Sequence, residues 1–271
     1  MNCNLHRGQH LAQYPNPGIC VLVWAIFCCG MIVSIPGEAE DIVWSEPRMI
    51  TQNDGNWNYP PYYVVEVVSD RRGTCIVFLV ADPQQLTSRE VYISRTVDDG
   101  ESWTPAIPLT TPIPSMAYVG YLSADTDEKG TVIAVWCCET ADSKEAFFSR
   151  STDNGVTWSS PGSLSTYYLQ LSGSTPNIGT DKKGTWLVSW PTSYVDESGR
   201  HQRAVFSRST DNGINWSEPG IVSGAKGSPI VRMATDRQGT WLLFSVDRES
   251  SYINRSFTNG LDWEEAVPIG T

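Results

Sequence analysis

The chain has 271 residues, 40% of them hydrophobic and 18% charged, enough for one or two globular domains with a proper core. Its formal net charge is −11 and it holds no basic run of the kind that tracks a phosphate backbone. Both features argue against nucleic-acid binding and against adhesion to an anionic membrane surface.

The first 39 residues differ from the rest. Arg7 precedes an apolar stretch from Ile19 to Ile35, and Gly37-Glu38-Ala39 then has the small-x-small pattern of a signal-peptidase site. Cleavage there leaves a mature chain starting near Glu40, exported to the outside or the periplasm. The alternative is an uncleaved membrane anchor through residues 19–35. Four of the seven cysteines lie in this leader, leaving Cys75, Cys137 and Cys138. Adjacent cysteines on a strand point to opposite faces, so Cys137 and Cys138 are poor co-ligands for one ion. All three are expected to be small apolar residues, without a disulfide, and neither a metal nor a cofactor is expected.

Ile42-Val43-Trp44-Ser45-Glu46-Pro47 opens the mature part as the tail of a motif met in full further on. Strand-like runs follow: 62–68 (YYVVEVV), an S-D-R-R-G-T turn at 69–74, the apolar 74–80, and 90–95 (EVYISR). Then comes SRTVDDGESW at 94–103, leading into WTPAIPL. The same order recurs three times. The turn returns as TDEKGT (126–131), TDKKGT (180–185) and TDRQGT (235–240), and the longer motif as SRSTDNGVTW (149–158), SRSTDNGINW (207–216) and NRSFTNGLDW (254–263). Two motifs alternating in step, the longer at spacings of 47 to 58 residues, mark a repeat array. The repeats cover about 60–110, 117–165, 172–223 and 226–271 of a unit spanning 40–271.

Each repeat reads as four short strands. The D-x-x-G turn uses Asp to bond its own backbone and Gly to supply positive φ, closing a hairpin between the first two strands. The second strands, rich in Val, Ile, Trp and Phe, suit burial on both faces. Proline in the fourth strands, which begin WTPAIPL, WSSPGSL, WSEPGIV and WEEAVPI, suits an outer edge. Four antiparallel strands repeated around an axis describe an all-β propeller blade. Trp186, Trp190 and Trp241, on second strands, are read as core rather than as sugar platforms. His201 suggests nothing. The sequons at Asn215 and Asn254 matter only for a eukaryotic source.

The S-x-D-x-G-x-x-W motif resembles the Asp-box, or bacterial neuraminidase repeat, of sialidase-like propellers. Its residues here are Asp98, Gly100 and Trp103; Asp153, Gly155 and Trp158; Asp211, Gly213 and Trp216; and Gly260 and Trp263, with Thr258 in the aspartate's place. The resemblance spans essentially the whole mature chain. It implies a box turn between the third and fourth strands of each blade, on the periphery, with a structural rather than a catalytic role. It also implies a six-bladed ring, of which about four blades are present. A partial chain, blades supplied by partners and a tight four-bladed closure all remain open.

By the same resemblance a site would lie at the central mouth, lined by the first strands. Sialidases use an arginine triad for the substrate carboxylate, a tyrosine nucleophile assisted by a glutamate, and an aspartate acid/base. The first triad arginine normally stands in an Arg-Ile-Pro motif, absent here; Tyr62 and Tyr63 occupy the corresponding stretch. Four residues before each turn aspartate stand Glu66, Ser123, Asn177 and Arg232. Such same-register positions face equivalent places around an axis, so Glu66 and Arg232 are expected to share a central cavity, with Arg232 as a carboxylate binder. Asp82 falls where the acid/base loop of the resemblance would be. Tyr252 is too far out to serve as a nucleophile. The expectation is an exported propeller that recognises extracellular glycans or another protein with an incomplete catalytic set; the alternative is an exo-α-sialidase.

Overall fold

The computed structural model describes residues 62–81, 90–109, 118–139, 144–164, 176–197, 199–226, 231–246 and 250–269. The leader, the fragment at 42–47 and Asp82 therefore lie outside the described residues. Among those described, every regular element is a strand. The first sheet holds β1 (Tyr62–Ser69), β2 (Cys75–Ala81), β3 (Glu90–Thr96) and β4 (Ile107–Pro108). The second holds β5 (Tyr118–Thr126), β6 (Val132–Glu139), β7 (Lys144–Ser151) and β8 (Gly162–Ser163). The third holds β9 (Asn177–Thr180), β10 (Trp186–Asp196), β11 (Gly199–Ser209) and β12 (Gly220–Lys226). The fourth holds β13 (Val231–Thr235), β14 (Trp241–Val246), β15 (Ser251–Ser256) and β16 (Val267–Ile269). Each sheet is an antiparallel meander in chain order, the four-stranded blade expected from the repeats.

The sheets stack as an arc, with inner strands β1, β5, β9 and β13 successively adjacent. Among the described residues the first and fourth sheets do not pack as a fourth such pair, so the arc is not closed into a ring. Three apolar cores fill the joints. Ile76, Phe78 and Val80 meet Val132, Ala134 and Trp136 in the first. Ile133 and Val135 meet Trp186, Val188 and Trp190 in the second, and Leu187 meets Trp241 and Leu243 in the third. The second strands of the second and third sheets, β6 and β10, thus feed cores on both of their faces. Cys138 lies in the first core and Cys137 in the second, on opposite faces of β6. Trp186, Trp190 and Trp241 are fully buried, which removes them as sugar platforms. β14 differs: it alternates buried and half-buried residues, one face fully covered and the other only in part.

The fourth strands start later than the sequence suggests. Each begins four residues beyond its box tryptophan, at Ile107, Gly162, Gly220 and Val267. The residue after the tryptophan bonds back to the third strand, as Thr104 N–H does to Arg95 O and Ser159 N–H to Arg150 O. In three blades a proline next interrupts pairing, at Pro105, Pro161 and Pro219. β10 and β11 form the longest hairpin, at 11 residues each. Pro191 is accommodated there because β9 pairs only with Trp186 through Ser189.

Candidate functional site

The D-x-x-G turns join the inner strand of each blade to its second strand and so position it. In every D-x-x-G turn one carboxylate oxygen accepts two backbone N–H groups: Asp70 from Arg72 and Thr74, Asp127 from Lys129 and Thr131, Asp181 from Lys183 and Thr185, and Asp236 from Gln238 and Thr240. The turn glycines close it at φ between 97° and 118°. The box turns lie beside them: Asn154 N–H bonds to Gly130 O, Asn212 N–H to Gly184 O, and Asn259 N–H to Gly239 O. Both motifs therefore occupy the same end of every blade.

Within a box the aspartate binds the turn that follows it. Asp98, Asp153 and Asp211 accept the backbone N–H four residues on, at 2.9, 2.8 and 2.9 Å. Each also accepts a side-chain hydrogen bond from Thr96, Ser151 or Ser209 before it. All three carboxyls are held down at about 2: Asp98 chiefly by Ser102, Asp211 chiefly by Asn215, and Asp153, where desolvation is the largest single influence and pushes up, by the combined hydrogen bonds of Thr157, Ser151 and Val156. A carboxylate so engaged has no proton to give near neutrality. Trp103 and Trp158 cover their turns, donating Nε1–H to Gly100 O and Gly155 O. Trp158, Trp216 and Trp263 also reach across the joints, with ring centroids 5.7, 5.6 and 5.7 Å from Phe78, Phe148 and Phe206.

The inner strands carry the other carboxylates. Glu66 is half-buried on β1, and its carboxyl is pushed up to about 7. Desolvation is the main cause; Arg232 on β13 pulls against it and Asp125 on β5 adds to it. So Glu66 and Arg232 feel one another across the arc, with no direct hydrogen bond between them among the described residues. Ser123 is buried on β5. Asn177 is committed: its Oδ1 accepts Met233 N–H at 2.7 Å, tying β9 to β13. Arg232 is exposed and spends one donor on Val231 O at 3.0 Å. Tyr252 is half-buried on β15.

Asp125, on β5, belongs to neither repeated motif. Burial lifts its carboxyl to about 6, against hydrogen bonds from Thr126 and Thr180 N–H and the charges of Lys182 and Arg237. The Thr180 bond, 3.1 Å to Oδ2, crosses from β9 to β5. At the turn end of the same strands the second residues of the four turns, Arg71, Glu128, Lys182 and Arg237, all have φ near 60°. Glu128 pairs with Arg71 Nε at 3.1 Å and with Lys182 Nζ. Burial pushes Glu128 up, but Lys182, Arg71 and Arg237 together hold it below its ordinary value. The inner strands thus offer two carboxyls that gain or lose protons near neutrality and one exposed guanidinium. That set can bind an acidic ligand and exchange a proton with it. Among the described residues no three His, Cys, Asp or Glu side chains group as metal ligands.

Four antiparallel four-stranded blades in an arc define a β-propeller architecture. Neither a protein-family profile nor a curated protein sequence matches the chain. Solved structures do. A Hadza microbial sialidase aligns with TM-score 0.56 at 18% identity, over 78% of this chain and 47% of that one. The NanB sialidase from Streptococcus pneumoniae aligns with TM-score 0.57 at 11% identity, over 84% and 55%. The α-L-arabinanase of Penicillium chrysogenum, solved with arabinobiose, aligns with TM-score 0.52 at 16% identity, over 78% and 64%. The fold is the sialidase-like β-propeller shared by these carbohydrate-acting proteins. The chain spans between about half and just under two thirds of their lengths.

Proposed function

We propose that this chain is an exported sialidase-like propeller that recognises acidic glycans through the inner-strand groups Arg232, Glu66 and Asp125. The observation that carries the reading is two desolvated carboxyls on the adjacent inner strands β1 and β5, one of them within electrostatic reach of the exposed guanidinium on β13. Arg232 supplies the planar fork that matches a sugar carboxylate. Glu66, protonated or ionised near neutrality, donates to or accepts from ligand hydroxyls. The carbohydrate-acting structural neighbours support a sugar as the ligand, and the apolar run at 19–35 with its small-x-small sequel supports export. Binding without turnover is favoured because the chain lacks an Arg-Ile-Pro motif.

One observation favours a second reading, an exo-α-sialidase. A carboxyl near 7 is poised as a general acid. A single experiment separates the two: acidic and neutral glycans are titrated against the purified chain, and 4-methylumbelliferone release from its sialoside is followed in parallel. Binding of carboxylate-bearing sugars, lost in Arg232→Ala and unaccompanied by turnover, supports recognition. Turnover that Glu66→Gln abolishes supports the hydrolase. Equal binding of neutral glycans, or binding indifferent to Arg232→Ala, refutes the site.

A further inference from the structure

The three joints between sheets are built from one set of contacts, used three times. A third-strand arginine donates Nε–H to the backbone carbonyl of the next blade's box asparagine: Arg95 to Asn154, Arg150 to Asn212 and Arg208 to Asn259, at 2.7, 2.7 and 2.8 Å. The same asparagine's Nδ2 reaches the previous blade's turn: Asn154 to Asp70 Oδ2, Asn212 to Thr131 Oγ1, and Asn259 to both Asp181 Oδ2 and Thr185 Oγ1. The box glycine then seats a second-strand aliphatic residue so closely that any Cβ would collide with it: Ile76 on Gly155, Ile133 on Gly213 and Leu187 on Gly260.

The fourth blade repeats the receiving half of this set. In sequence register Arg255 stands where Arg95, Arg150 and Arg208 stand, Leu242 where Ile76, Ile133 and Leu187 stand, and Asp236 and Thr240 where Asp181 and Thr185 stand. Each is unfilled. Arg255 is exposed, and Leu242 is half-buried where Leu187 is 0% exposed. Asp236 binds only groups of its own turn, the backbone N–H of Gln238 and Thr240 at Oδ1 and the Thr240 hydroxyl. We propose that the outward face of the β13–β16 sheet is a docking surface for one partner blade whose box carries Asn-Gly. The partner's asparagine carbonyl takes Arg255, its Nδ2 takes Asp236 Oδ2 and Thr240 Oγ1, and its glycine seats Leu242.

The first blade of a second copy does not meet this specification. Its box reads Asp98-Asp99-Gly100, and an aspartate at position 99 lacks the side-chain amide N–H that the asparagine donates and would set a second carboxyl against Asp236. The side of its sheet that would dock is also already occupied, since Val77 and Leu79, the β2 residues facing away from the first core, are 2% and 4% exposed. Stacked repeats gain stability mainly from such nearest-neighbour interfaces, which makes the proposal measurable with the chain's own parts.

The test fuses a duplicate of residues 226–271 after Thr271 and compares thermal midpoint and amide exchange with the unfused chain. The expected result is a rise of roughly 5 °C or more and at least tenfold slower exchange in 241–246 and 251–256. Arg255→Ala in the original fourth blade should leave the unfused chain unchanged yet remove much of that rise. Asn259→Asp in the appended copy alone should do the same. An appended blade that stays unprotected, or a rise indifferent to both substitutions, overturns the proposal. So does sedimentation of the unfused chain as a dimer with 241–246 protected, which would make a second copy the occupant.

Discussion

The chain keeps two populations of carboxylates that behave in opposite ways. At the box end, Asp98, Asp153 and Asp211 are held at about 2 by hydrogen bonds from their own turns. On the inner strands, Glu66 and Asp125 are raised to about 7 and 6 by burial. The first group costs little to ionise and is spent on shape. The second is held in a state that ionises at a cost, and perturbed groups of that kind cluster at functional sites. Side-chain type alone does not separate structure from chemistry here; the donors around each carboxyl do.

The largest way to break the box end is through its glycines and the residues they seat. Gly213→Val should cost several kcal/mol, because φ is +78° there and Ile133 leaves no room for a Cβ. Trp186→Ala, which empties a fully buried position in the second core, should cost about 3–5 kcal/mol. Urea midpoints check both. Asp153→Ala removes one box carboxylate and should cost about 1 kcal/mol. Its folded value lies below the unfolded one, so its contribution is present above about pH 4 and lost as pH falls toward 2. The acid limb of the stability curve should therefore flatten in that variant.

The inner strands should respond with the opposite sign. Glu66 is raised when folded, so the folded state binds more protons and stability falls as pH climbs from about 4.5 through 7. Glu66→Gln should raise the thermal midpoint at pH 8 and leave it nearly unchanged at pH 4. The gain is on the order of 1 kcal/mol once solvent screening of this partly exposed group is allowed for. Ile214→Ser, 62% exposed within a box, should change stability by less than about 0.5 kcal/mol. That null sharpens the contrast with its neighbour Gly213.

The strand order and the two alternating turns were legible because Asp and Gly at fixed offsets have a single local use: the aspartate binds its own backbone and the glycine takes positive φ. The joints were only partly legible. Box asparagines and third-strand arginines repeat visibly in the sequence, yet nothing in one strand says that they meet across blades. At the axis the four-before register brought Glu66 and Arg232 into view, and the structure places them within electrostatic reach. Asp125 escaped because its register, two before the turn aspartate, holds Val68, Gly179 and Ala234 in the other blades. A carboxylate two residues beyond Ser123 on one inner strand was the available signal. The sequon at Asn254 misleads in the other direction: that side chain is fully buried and donates to Ser223 O and Glu264 O.

The central claim is that the inner strands hold a carboxyl kept ready to change charge near neutrality. A carbon-detected NMR titration of the side-chain carboxyls, with Glu66→Gln and Asp125→Asn to assign them, tests it most directly. The account predicts midpoints near 7 for Glu66 and near 6 for Asp125, while the box aspartates stay ionised down to about pH 2. Midpoints near 4 for both inner carboxyls would contradict it and leave the axis as plain channel lining.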